Sequence, residues 1–185
     1  MEVKGTALQS LQKFVRTKFG EPGHEKWLDA LSPEARALYR DSILSSSWFP
    51  ITPMLALPTQ NVCDLFYGGD LKGAYESGIF AADDGLRGLY RMFVVAGSPT
   101  FIIKKAATVL STFYRPSTIE RVEEKPKAVT FHMTHFPEPH PAVEFRIAGW
   151  MEQGLVVCGC TGIQVKIGKS LTKGDPYTEY FVTWQ

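Results

Sequence analysis

Three of the chain's four histidines fall within "FHMTHFPEPHPAVEF", residues 131–145, beside Glu138 and Glu144. Imidazole nitrogens and carboxylate oxygens are zinc donors, and a structural zinc site needs four ligands in a tetrahedron. The spacing works against such a site. Side chains alternate faces along a strand, so His132 shares a face with Thr130 and Thr134, and His135 with Val129, Phe131 and Met133. The two imidazoles are expected on opposite sides of a sheet unless a bulge intervenes. Pro137, Pro139 and Pro141 then make a stiff connection carrying His140 to the start of the next helix. The stretch is expected to be an architectural join, with no metal bound. A metal-dependent enzyme using His132, His135, His140 and Cys158 stands only as a third functional reading.

Other chemistries lack a complete set of groups. Cys158-Gly159-Cys160 has one intervening residue, where disulfide oxidoreductases and zinc knuckles use two. Three cysteines do not make a disulfide framework. "YGGDLKGAYESG" has glycines without the Lys-Ser/Thr that completes a phosphate loop, and no strand precedes it. Haem lacks support: there is no Tyr-x-Ser-x-Arg stretch to clamp propionates, and no helix carries an obvious axial histidine. Asp83-Asp84 reads as a helix cap, Glu123-Glu124 as a solvated turn, and His24 has no partner in sequence. No catalytic residue and no cofactor is expected. The aromatic surplus is the remaining signal. Trp48, Phe66, Tyr90, Phe93 and Phe113, with Met151, are the candidate lining of an apolar ligand pocket, and Cys63 is the candidate reactive or acylated thiol.

The bulk properties narrow the class. A formal charge of +1 gives no footprint for nucleic acid. No apolar run approaches the roughly 20 residues of a membrane span. The start, Met1-Glu2-Val3-Lys4, leads into an amphipathic pattern instead of an apolar signal region, so a cytoplasmic location is expected.

The elements that must position these residues divide into two halves. Up to about residue 115 the apolar period is helical. Leu8, Leu11, Val15 and Phe19 mark a first helix ended by Gly20, and Ser32-Pro33-Glu34 caps a second. "SSSWFPITPMLALPTQ" leads into a helix beginning at Pro53 or after Pro58. Further helices are expected over 70–80, over 84–96 with Leu86, Leu89, Tyr90, Phe93 and Val94 as its stripe, and after Pro99. Beyond Pro116 the period becomes two. "STIERVEE" and "KAVTFHMTH" read as a hairpin turning at Lys125-Pro126, 141–157 as a helix, and "TGIQVKIG" and "YTEYFVTWQ" as two more strands. The predicted fold is α+β: one domain, 1–185, with N-terminal helices packed on a four-stranded antiparallel sheet of β-β-α-β-β order.

"GWMEQGLVVCGC" (149–160), taken as a Gly-initiated helix running into a short strand, and "GDPYTEYFVTW" (174–184) resemble the superfamily of 4-vinyl reductase domains and transport protein particle (TRAPP) core subunits. Haem–NO-binding-associated regulators are discussed with the same group, and the nearest likeness is to a myxobacterial family of conserved hypothetical proteins. The stretch from Tyr90 to Met133 follows the same helix-into-strand layout. The resemblance covers roughly the last 100 residues. It implies a fold, often dimeric, that holds small hydrophobic ligands or assembles into multi-subunit complexes. Metal-binding members carry a cysteine where this chain has Thr178, and some TRAPP-like members carry an acylated cysteine, which brings Cys63 into view.

Together these readings predict a non-enzymatic cytoplasmic regulatory domain that works by binding, as a homodimer. Its sharper form is a sensor of a small apolar ligand. The rival is a protein–protein scaffold in a small-GTPase-regulating complex, with a small GTPase or an adaptor as partner.

Overall fold

The computed structural model describes residues 1–86 and 99–185. A short strand β1 (Glu2–Lys4) runs into helix α1 (Gly5–Asp29), which is bent where Gly20 takes φ +68°. That left-handed conformation is open to glycine and strained for other residues, so the expected stop at Gly20 is a kink. The helix resumes with Pro22 in its new first turn, where a missing N–H costs nothing. Helix α2 (Pro33–Arg40) starts as predicted, the Ser32 hydroxyl accepting from the Ala35 N–H at 3.2 Å. Strand β2 (Trp48–Pro50) and a π-helical turn (Thr52–Ala56) lead into α3 (Leu57–Tyr67), which Gly68 ends in a left-handed conformation.

Helix α4 (Lys72–Leu86) corrects one expectation. Asp83-Asp84 is expected to cap a new helix, yet both lie inside α4, because Ala81-Ala82 before them are strong helix formers and nothing there breaks the run. The rest of the predicted helix over 84–96, with Tyr90 and Phe93, lies outside the described residues. Helix α5 (Pro99–Phe113) follows, then β3 (Tyr114–Arg115). Strands β1, β2 and β3 form a small antiparallel sheet, ordered β2-β1-β3, that the sequence did not announce. Strands of two or three residues are too short to display a period.

The second half has the predicted order. Strands β4 (Thr118–Lys125) and β5 (Ala128–His135), helix α6 (Pro141–Val157), and strands β6 (Gln164–Ile167) and β7 (Thr178–Thr183) build a four-stranded antiparallel sheet ordered β4-β5-β7-β6. Register pairs Phe131 with Tyr180 and Val129 with Val182, and all four side chains are buried on one face. The "GWMEQGLVVCGC" stretch is built differently from its expected form. Gly149 lies in the middle of α6, which begins at Pro141, and Cys158 caps its end, with Cys160 in the loop before β6.

Helices α4 and α6 cross at van der Waals distance of their backbones. A Cβ placed on Gly78 would lie 2.0 Å from the Arg146 carbonyl oxygen, and one on Gly149 would lie 2.0 Å from that of Tyr75. Only glycine at both positions permits this approach, and the crossing fixes where α6 presents its next side chains.

Candidate functional site

A cavity of about 380 Å³ opens between α1, α4, α5 and α6, within the size range of small-molecule sites. Helix α5 contributes Ala106, Val109, Leu110 and Phe113, and α6 contributes Ile147, Trp150 and Met151. Ile119 of β4 and Ala7 of α1 add to this apolar wall. The amphipathic period explains the lining: Ala106, Val109, Leu110 and Phe113 fall at helical spacing on one side of α5. At the exposed edge, Lys13 of α1 pairs with Asp84 of α4.

One wall residue is charged and buried. Arg146 of α6 is 2 % exposed. Its Nη1 donates to the Ser77 carbonyl at 3.0 Å and hydroxyl at 2.8 Å, and its Nη2 donates to the Ala7 carbonyl at 3.2 Å and the Ser10 hydroxyl at 2.7 Å. It thereby ties α1, α4 and α6 together. Burial pulls the guanidinium down from its ordinary pKa, an effect opposed by the neighbouring Tyr114 and Tyr39 phenols. Guanidinium nonetheless stays protonated in proteins. Tyr114, also in the wall, is pushed upward by burial, with the Arg146 charge acting the other way.

A second buried charge lies on the same helix. The Glu144 carboxylate accepts from the Ser170 hydroxyl at 2.6 Å, from the Thr172 hydroxyl at 3.4 Å and from the Thr178 hydroxyl. Residues two apart on a helix do not face each other. Glu144 therefore latches the turn before β7, while Arg146 faces the cavity.

The sequence candidates disperse. Phe113 and Met151 line the cavity. Trp48 lies instead in β2, with the Arg115 guanidinium 3.9 Å from its ring centre. Phe66 stacks on Phe19 at 4.0 Å. Tyr90 and Phe93 lie outside the described residues. Cys63 is buried in α3 against Ala74 and Ala142, and burial pushes its thiol up to about 11. His132 stacks on Tyr177 and meets Glu179 at 3.0 Å, His135 is exposed, and the His140 ring caps α6 by accepting from the Ala142 N–H at 3.2 Å. Among the described residues no three His, Cys, Asp or Glu side chains are grouped to hold a metal ion. No described helix is long and apolar enough to cross a membrane.

Arg146 escaped the sequence reading, although a signal was present. It stands three residues after Val143 and four before Trp150, inside the apolar stripe of its helix, where a charge is out of place. Ser10 and Ser77 interrupt the buried faces of α1 and α4 in the same way.

No protein-family model matches the chain, and no curated protein matches it in sequence. Solved structures do match in fold. The Fe(II) unliganded H-NOX protein of K. algicida superposes with a TM-score of 0.75 at 12% identity, over 98% of this chain and 96% of that one. The H-NOX protein of S. oneidensis in its Fe(II)NO ligation state gives 0.74 at 14%, over 98% and 99%. A mutant of T. Tengcongensis H-NOX gives 0.65 at 12%, over 98% and 97%. The chain thus has the fold of H-NOX proteins along nearly its whole length. This overturns the resemblance to 4-vinyl reductase and TRAPP subunits. The motifs behind that resemblance describe a helix followed by an alternating strand, a local pattern that many α+β folds share and that leaves topology open.

Proposed function

We propose that this protein is a non-enzymatic regulatory domain that binds a small, largely apolar molecule in the cavity between α1, α4, α5 and α6. The observation that carries this reading is the cavity itself, about 380 Å³ with walls built mainly from aliphatic and aromatic side chains. The H-NOX fold supports it as the fold of proteins solved with Fe(II), in one case with NO as well. The scaffold reading in a small-GTPase complex rested on the TRAPP resemblance and loses its ground with it.

The described residues of this chain do not fit an iron-bearing cofactor such as haem. Protein ligands to haem iron are imidazole, thiolate, thioether paired with imidazole, or phenolate. None of the four histidines and none of the three cysteines lines the cavity. The Met151 thioether has no imidazole to pair with there. The Tyr114 phenol is pushed upward by burial, away from the phenolate form. Of the cations in the wall, Lys13 pairs with Asp84 and the terminal N–H groups of Arg146 serve neutral oxygens. The cavity suits direct capture of an organic molecule.

Calorimetric titration with 1-octanol tests this reading. Saturable one-to-one binding is expected, and Ala106→Trp, which fills the cavity from α5, abolishes it while the circular dichroism spectrum stays native. An absence of saturable binding, or binding indifferent to Ala106→Trp, would refute the proposal.

A further inference from the structure

Two polar features of the cavity wall have no use for a purely apolar guest. The first is Arg146. Its four described hydrogen bonds all go to carbonyl and hydroxyl oxygens, and among the described residues it forms no ion pair. The only carboxylate in the described wall, Asp84, is paired with Lys13. Buried charges in proteins are normally paired, because neutral acceptors offset only part of the desolvation cost. The second feature is Thr6. Its hydroxyl is buried and, among the described residues, is the side-chain polar atom left without any hydrogen-bond partner. It lines the same cavity as Arg146 and Tyr114. The Tyr114 hydroxyl accepts a hydrogen bond from the Arg146 guanidinium, which leaves its own O–H to donate.

A full positive charge and two hydroxyl donors thus line one cavity, whose remaining wall is mainly apolar apart from Gln9, Ser10 and the Lys13–Asp84 pair at its edge. An ionised carboxylate is the matching group, since it accepts only and offers about four lone-pair sites. An ammonium would be repelled by Arg146. A neutral alcohol would answer Thr6 and leave the charge unpaired. Within the binding function proposed above, on which this rests, we infer that the ligand is a monocarboxylate with an apolar tail. Its carboxylate accepts from Thr6 and Tyr114 in the field of Arg146, and its tail lies along Val109, Phe113 and Met151.

The test titrates the full chain at low salt with octanoate, 1-octanol and octylamine, three probes with the same tail. Octanoate is expected to bind about tenfold or more tightly than octanol, the scale of a hydrogen-bonded charge, and octylamine most weakly. Thr6→Val and Tyr114→Phe should each weaken octanoate by about fivefold or more and octanol, which brings no charge to these donors, by less. Arg146→Met should bring octanoate down to the octanol affinity. Should that variant fail to fold, the Thr6→Val/Tyr114→Phe pair decides the matter alone. Equal affinity for octanoate and octanol in the unaltered protein overturns the inference, as does an octanoate preference that survives the double substitution. Those outcomes leave the binding function standing, whereas failure of all three probes to bind removes both.

Discussion

Replacing Gly78 or Gly149 by alanine should cost about 2–5 kcal/mol of stability, although alanine is the better helix former. The new Cβ would begin 2.0 Å from a backbone carbonyl oxygen of the facing helix, where real Cβ atoms essentially never come closer than 3.0 Å. Relief therefore requires α4 and α6 to part by about 1 Å, enough to forfeit a quarter to a half of the dispersion energy along the crossing. The same movement stretches the Arg146–Ser77 bonds, now 3.0 and 2.8 Å, beyond hydrogen-bond range. Hydrogen bonds to a charged group contribute about 1.5–3 kcal/mol each, and the gain in helix propensity returns only about 1 kcal/mol. Urea unfolding followed by circular dichroism would show lower midpoints at unchanged slope. Gly85→Ala is the control within α4, since its Cβ would meet nothing within 4 Å among the described residues, and it should stabilise by about 0.5–1 kcal/mol. One separation relieves both clashes, so the Gly78→Ala/Gly149→Ala double variant should cost less than the two singles together. Midpoints for the singles at or above that of the unaltered protein would refute the reasoning.

Acid should weaken the fold through His24 and His140, both of whose pKa values burial lowers from 6.5. The unfolded chain takes up these protons first, so their contribution is complete above pH 6.5 and is lost as pH falls below it toward the folded values. His140→Asn keeps an acceptor at the start of α6 and should flatten the fall in Tm between about pH 7 and pH 5; an unchanged slope would exclude His140 as a source. His140→Ala should cost about 1 kcal/mol near neutral pH by removing the cap. Cys63, with its thiol raised to about 11, should resist a thiol reagent in the native state at neutral pH while half-buried Cys158 reacts. Labelling of native Cys63 at the rate found in denaturant would contradict its burial. Glu144→Ala should lower stability by about 2–4 kcal/mol in thermal unfolding, because three hydroxyl donors lose their charged acceptor. A loss below about 0.5 kcal/mol would mean that the latch contributes nothing.

What could be read from the chain follows the range over which each feature is encoded. The Ser32 cap, the hairpin turning near Lys125-Pro126 and the helix over 141–157 are local, decided by neighbours a few residues apart, and they stand as predicted. Strand parity is equally local. Val129, Phe131 and Met133 are buried on one side of β5 while His132 faces Tyr177 and Glu179 on the other. The cavity is non-local. Thr6, Ala106, Tyr114 and Arg146 come from four elements, and no spacing along the chain brings them together. Of the aromatic candidates and Met151, Phe113 and Met151 fall on the cavity wall while Trp48 and Phe66 pack elsewhere.

The same difference in range explains how this chain shares the fold of H-NOX proteins at 12% and 14% identity. The α4–α6 crossing asks for two glycines, and the sheet asks for apolar side chains at alternate positions. Many sequences meet those demands, so the fold persists while most positions change. Chemistry at the cavity asks for something narrower, a particular donor atom at a particular place in the wall. Here the wall offers a guanidinium, a phenol and an unpartnered hydroxyl, and no imidazole or thiolate among the described residues. The fold supplies the cavity, and the donors in its wall set the chemistry that the cavity presents. On the proposed reading it is Thr6, Tyr114 and Arg146 that select the ligand, in place of the iron with which the structural neighbours are solved.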